Sequence, residues 1–188
     1  GLKLVEAYRK QYGHSWISAM PTNLYGPGDN FDKESSHVLP ALIRKFSDAT
    51  RANSESVTLW GSGSPLREFL YVDDLASACL HLLANYDGDI PLNVGTGEEV
   101  SIKNLATLIA KTTDFKGEVV WDPMKPDGTL RKLLDTEMMR NLGWSPKTFL
   151  AEGIEGEVNH FARGSDPGAG GEHGFGNGRA DRAGKMFS

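Results

Sequence analysis

The residues best suited to chemistry lie in one stretch. Pro21-Thr22-Asn23-Leu24-Tyr25-Gly26-Pro27-Gly28-Asp29-Asn30 runs on to Ser35-Ser36-His37-Val38-Leu39-Pro40. The first part is a Pro/Gly/Asn-rich loop after a short apolar run. Loops outside the C-terminal ends of buried strands are where α/β folds hold ligands. The second part sets a histidine where the next helix begins. A helix N-terminus disfavours the imidazolium, which makes the protonated ring a readier acid. Acid–base work on a bound ligand is the chemistry this pairing offers. Taken alone, an ordinary turn and a surface histidine account for both. His14, His81, His160 and His173 have no comparable setting.

Cationic side chains form a second group. Lys45 lies about two turns into the His37 helix beside Arg44, toward the same broad side as His37. Arg67 follows a Gly-rich turn, and Arg131 and Lys132 follow Lys125-Pro126-Asp127-Gly128-Thr129. Cations on several elements suit an anionic ligand, and Arg suits bidentate phosphate contact. Singly, each is also ordinary solvated charge. Gly61-Ser62-Gly63 and Gly95-Thr96-Gly97 lack a third glycine at dinucleotide spacing and read as turns.

These groups must be carried by regular elements. Leu2, Val5, Tyr8 and Tyr12 predict a helix over 1–12 with Gly13 as its C-cap. Trp16–Met20 reads as a buried strand stopped by Pro21, and the Gly26-Pro27-Gly28-Asp29 punctuation makes 21–34 an irregular loop. Leu39, Leu42, Ile43 and Phe46 predict a helix over 36–49, capped by Ser35 or Ser36. Strands follow at 57–60, 67–72, 92–94 and 118–121. Asp73-Asp74 caps a helix whose stripe of Leu75, Ala78, Cys79, Leu82 and Leu83 puts Cys79 in the core. Ser101 caps another, and helices at 136–142 and 148–162 close the fold. Such alternation predicts an α/β fold with parallel pairing.

Composition narrows the classes. The 188 residues are 39% hydrophobic and 24% charged, ordinary for a soluble globular protein. A net charge of −5 offers no broad basic surface for nucleic acid. No apolar run approaches the ~20 residues of a membrane helix. The single cysteine excludes an internal disulfide and a multi-cysteine metal site. The expectation is a cytoplasmic domain. The chain opens on Gly1-Leu2-Lys3-Leu4, without Met and inside a helical pattern, as a piece of a longer protein would. Eight of the last 25 residues are glycine, so 163–188 is expected to be a disordered tail, foreign or native to the fold.

PTNLYGPGDNF, SSHVLPALIRKF, LWGSGSPLREFLYVDDLA, NVGTG and KPDGTLRKLLD, in this order, resemble the GDP-L-fucose synthase family of extended short-chain dehydrogenases, within the NAD-dependent epimerases/dehydratases. PxxxYGP and WGxGxxxRxFxxVDD are shared by many nucleotide-sugar enzymes; PTNLYGPGDNF with SSHVLPAL is narrower and carries the assignment. The resemblance covers residues 1–162. It implies the end of a Rossmann-type parallel sheet plus a small α/β substrate domain. The implied reaction takes GDP-4-keto-6-deoxy-D-mannose to GDP-L-fucose by 3,5-epimerisation and NADPH-dependent 4-reduction.

By the same resemblance, Pro21, Thr22, Asn23 and Leu24 line the nicotinamide side of NADP(H), and Asn23 also faces the sugar. His37 is the epimerisation acid and approaches the cofactor. Lys45, Arg67 and Lys132 contact substrate phosphates or sugar, Trp60 packs on the nucleotide or belongs to the core, and Asp127 accepts from a ribose or base donor. A homodimer is implied for the whole enzyme. No glycine-rich fingerprint and no Tyr-x-x-x-Lys occur in the chain, and the family's catalytic cysteine corresponds to a position upstream of Gly1. The chain is therefore expected to match the C-terminal half and to lack reductase activity alone. Another nucleotide-sugar 4-epimerase or dehydratase, or a non-catalytic GDP-sugar-binding remnant, are the alternatives.

Overall fold

Apolar spacing decides where the helices lie. The computed structural model describes residues 1–33 and 35–164. Among these, the helices are α1 (Leu2–Tyr12), α2 (Val38–Arg51), α3 (Val72–Asn85), α4 (Ile102–Thr112), α5 (Glu137–Asn141) and α6 (Leu150–Gly164). Helix α2 buries Leu39, Leu42, Ile43, Phe46 and Ala49, the i, i+3, i+4, i+7 and i+10 positions of one stripe. Each such large side chain contributes about 1.5–3 kcal/mol by leaving water. Gly13 closes α1 by donating its N–H to Arg9 O (2.9 Å). Ser101 caps α4, its Oγ accepting from Asn104 N (3.1 Å). Arg163 and Gly164, expected in the tail, end α6. The rest of the expected tail, with His173, lies outside the described residues.

The strands are short. They are β1 (Ala19–Pro21), β2 (Asn23–Tyr25), β3 (Ser56–Trp60), β4 (Leu66–Arg67), β5 (Phe69–Tyr71), β6 (Leu92–Val94), β7 (Val100–Ser101), β8 (Glu118–Asp122) and β9 (Arg131–Lys132). β1 pairs with β6, β2 with β5, β3 with β8 and β4 with β9, all parallel; β4 and β7 run antiparallel. Parallel neighbours need crossover connections, which the helices between them supply. One core packs α2, α4 and α6 around Tyr25, Val57, Leu59 and Phe69. A second gathers Leu70, Leu92, Val94, Met139 and Trp144 against the inner stripe of α3.

Three local expectations are corrected. The 67–72 run is two strands broken at Glu68, and α3 starts at Val72 with Tyr71 as N-cap. Asp74 does not cap its own helix. It is buried and accepts the N–H groups of Lys147 (3.1 Å) and Thr148 (2.9 Å) just before α6. Cys79 is exposed. The buried stripe of α3 runs through Asp74, Ala78 and Leu82, and Cys79 lies about 100° around the helix from Ala78.

Candidate active site

The loop after β1 is more ordered than its composition suggests. β1 extends through Pro21, paired with Val94, so the proline sits inside the strand instead of stopping it. Thr22 donates its N–H to Val94 O (3.0 Å). The next three residues form β2, in register Asn23↔Phe69, Leu24↔Leu70 and Tyr25↔Tyr71. Their burial steps from exposed Asn23 to buried Tyr25, so a core contact holds a stretch that punctuation alone marks as irregular. Asn23 Nδ2 donates to Glu68 O (2.7 Å) and Thr22 Oγ1 to the same oxygen (3.3 Å).

A cavity of about 470 Å3 lies between this loop and the start of α2. Thr22, Asn23 and Leu24 form one wall, and Leu39, Phe69 and Val72 are apolar lining. His37 lines it from the N-cap position of α2 (φ −72°, ψ 167°), exposed, its ring making no capping bond. Neither Ser35 nor Ser36 caps this helix. Ser35 instead donates its N–H (3.1 Å) and Oγ–H (3.0 Å) to Asp32 Oδ1, bracing the loop. Pro21, at the end of β1, does not line the cavity.

A second cleft of about 200 Å3 adjoins the first at Val38, which lines both. Trp60, Arg67 and Asp127 meet there. Trp60 is 71% exposed. β3 alternates exposed and buried residues, so Trp60 shares the outward face of Thr58 while Val57 and Leu59 enter the core. Lys125 Nζ stands 5.3 Å from the Trp60 ring centroid, within cation–π range. Arg67 Nη1 donates to Leu66 O (2.7 Å). Lys132 is the register partner of Arg67 across the β4–β9 pair, although it does not line the cleft. Arg131 is held by Glu99 (2.8 Å).

Asp127 is tied to the Gly61-Ser62-Gly63 turn. Its Oδ1 accepts Ser62 N (2.9 Å) and its Oδ2 accepts Ser62 Oγ (2.6 Å), and these bonds hold its carboxyl below the ordinary aspartate range. Gly61 has φ +78°, and a Cβ there would stand 2.2 Å from Asp127 Oδ1. Glycine is therefore required for the turn to close on the carboxylate. Lys45 and Arg44 diverge. Lys45 Nζ donates to Thr58 O (2.5 Å), with burial lowering its pKa, whereas Arg44 donates to Phe31 O (2.7 Å). They are 100° apart on the helix and reach different partners.

Two buried carboxylates beside the site escaped the sequence reading. Glu68, fully buried, stands between β4 and β5. Glu157 of α6 is 1% exposed, and its Oε1 has no hydrogen-bond partner. Burial, then the charge of Asp29 from the loop, push Glu157 up to about 7. Burial and the Asp74 charge also raise the Tyr25 phenol, keeping it protonated. A signal for both existed: Glu68 interrupts an apolar run, and Glu157 falls at helical spacing with Ile154, Val158 and Phe161. Among the described residues, no cluster of three or more His, Cys, Asp or Glu could hold a metal ion. No described helix is long and apolar enough to cross a membrane.

Comparison with known proteins follows the same outline. Residues 1–95 match the profile of the NAD dependent epimerase/dehydratase family. The chain is 56% identical over 154 residues to a probable GDP-L-fucose synthase 1 of Oryza sativa subsp. japonica, covering 82% of this chain and 47% of the relative. It is 47% identical over 175 residues to the GDP-L-fucose synthase of Escherichia coli K12, covering 88% and 54%. A crystal structure of a GDP-L-fucose synthetase from Naegleria fowleri bound to NADP superposes with a TM-score of 0.81 at 31% identity, covering 89% of this chain and 55% of that one. The chain thus spans about half the length of the relatives it matches.

Proposed function

This chain belongs to the NAD dependent epimerase/dehydratase family, and we propose that it supplies the sugar-nucleotide side of an enzyme that converts GDP-4-keto-6-deoxy-D-mannose to GDP-L-fucose. The observation that carries the reading is the junction at Val38. A cavity with a histidine at its edge and a cleft with an aromatic ring and a guanidinium share Val38 as a wall. A sugar in the first and a nucleoside diphosphate in the second would span the two.

The first cavity fits one end of a nicotinamide cofactor. Its volume of about 470 Å3 lies within the usual ligand range, and an apolar lining with a polar Thr22–Asn23 rim suits a flat ring bearing an amide. NADP(H), when bound, supplies the hydride for reduction at C4. Thr22, Asn23 and Leu24 form the wall beside it, with Pro21 anchoring the strand behind. With one Nδ2 hydrogen committed to Glu68 O, Asn23 offers Oδ1 and its second N–H to the sugar.

His37 delivers a proton to a carbon flanking the ketone. Its exposed ring, free of capping duty, can take a proton back from solvent. Arg67 and its register neighbour Lys132 balance the diphosphate, and Trp60 packs on the nucleotide. Asp127 keeps lone pairs beyond those Ser62 uses, for a ribose or base donor. Lys45 likewise keeps two N–H groups beyond the one donated to Thr58. The same reading makes the assembled enzyme a cytoplasmic homodimer.

Titration calorimetry of this chain with GDP-L-fucose and UDP-glucose tests the reading. The expected result is a preference for the GDP-sugar that Arg67→Ala and Trp60→Ala each weaken. Equal binding of both ligands, or a preference for UDP-glucose, would overturn it.

A further inference from the structure

One buried residue that does not line the sugar cavity bonds to the 96–97 turn and to Leu134 through its carboxylate, and to the Thr22–Asn23 wall through its carbonyl. Glu68 Oε1 accepts Gly97 N (2.8 Å) and Thr96 Oγ1 (3.4 Å), and Oε2 accepts Leu134 N (3.0 Å). Its own carbonyl accepts Asn23 Nδ2 and Thr22 Oγ1. Leu134 lies two residues beyond Lys132, and Arg67 directly precedes Glu68. A carboxylate taken from water without a cation needs such N–H donors, and removing one partner leaves an unsatisfied group. Gly95 is packed against it: a Cβ there would stand 2.2 Å from Oε1. The side chain is thus seated by the 95–97 turn and by Leu134, which follows Lys132, while the Glu68 backbone adjoins Arg67 and holds the Asn23 side chain.

We infer that Glu68 is a positioning residue for ligand recognition. Its carboxylate locks the 95–97 turn and the segment after Lys132 to the strand break, and its carbonyl thereby holds the Asn23 amide at the angle the sugar requires. This role rests on the reading that Asn23 faces a bound GDP-sugar.

The test combines Glu68→Gln, which turns one acceptor into a donor facing an N–H, with Gly95→Ala, which displaces the carboxylate and keeps its charge. The readouts on the 188-residue chain are the Asn23 side-chain amide resonances by NMR, well below the unfolding temperature, and the affinity for GDP-L-fucose. In a folded variant the Asn23 resonances should shift, although neither changed side chain bonds to Asn23, and affinity should fall about tenfold. A role confined to stability would lower the unfolding temperature and leave both readouts in place, which overturns the inference. Shifted resonances with unchanged affinity overturn it too. If Glu68→Gln does not fold, Gly95→Ala decides. If the unaltered chain fails to bind GDP-L-fucose, the proposed function falls. The Asn23 resonances then judge Glu68 alone: moved, the frame stands; unmoved, it does not.

Discussion

A methyl group on Gly26 would stand 2.4 Å from Cγ1 of Val72. The cause is register. Tyr25 and Tyr71 are partners at the ends of β2 and β5, so the next residue on each strand meets its counterpart. One of these begins α3 and the other lines the cavity beside His37. Gly26 also holds φ +149°, where L side chains are rare.

Gly26→Ala should therefore cost about 2 kcal/mol or more, from backbone strain and overpacking together. Urea unfolding of the variant beside the parent chain measures this. A loss below about 0.5 kcal/mol, within the range of ordinary surface changes, would show that the loop and α3 separate freely.

The Glu157 carboxyl makes a pH prediction of definite sign. Its pKa in the folded chain is raised to about 7 by burial, with Asp29 adding to the effect. Tyr25 and Tyr71 also face it, and both are themselves raised by burial. The folded state therefore holds a proton that the unfolded state releases in the ordinary glutamate range. That stability is present at low pH and is lost as pH rises through about 7. Between about pH 5 and about pH 8 the chain should lose roughly 1–3 kcal/mol, and Glu157→Gln should flatten the slope. Denaturant midpoints across this range check it. A slope unchanged by the substitution would assign the titration elsewhere.

Ser62 makes a prediction about Asp127. Both carboxylate oxygens accept from Ser62, one from its N–H and one from its hydroxyl. Ser62→Ala removes the hydroxyl donor, the first cause of the lowered carboxyl. Carbon-detected NMR titration should then show Asp127 moving up toward the ordinary aspartate range. An unmoved carboxyl would mean that the hydroxyl bond does not form in solution.

The parts of the fold that declare themselves in sequence are those set by local periodicity. Leu39, Leu42, Ile43 and Phe46 mark α2, and all four are buried. The alternation of β3 assigns Trp60 to the outward face. What remained hidden depends on distant partners. Asn23–Tyr25 is a strand because Phe69–Tyr71 lies beside it. Glu68 is tolerated in the core because N–H groups from residues 97 and 134 converge on it. Cys79 was misplaced for a related reason: Leu75, Ala78, Cys79, Leu82 and Leu83 span a wide arc, and only packing shows which edge is wet. Leu83 at 73% exposure and exposed Cys79 lie on that wet edge.

Cys79 can be counted directly. It is the single cysteine of the chain and is exposed. A thiol reagent should modify one group per chain in native buffer, to the same extent as in denaturant. Reaction only after unfolding would mean that this face of α3 is covered in solution.

His37 separates the two halves of the proposed chemistry. It caps α2 through its backbone, with Ala41 N donating to its carbonyl (3.0 Å), while the exposed ring takes no part. His37→Asn should therefore change stability by no more than about 0.5 kcal/mol. A general acid contributes about 10²–10⁴-fold to proton transfer. With this chain joined to the nucleotide-binding half of a relative, the substitution should cut solvent deuterium entry at the carbons flanking the ketone by about that factor. Reduction of an already epimerised ketone should fall far less, because the proposed mechanism gives His37 no proton to donate in that step. Measuring isotope incorporation and NADPH consumption on the same samples separates the two. Equal loss of both would place His37 in ligand binding and remove it from the epimerisation step.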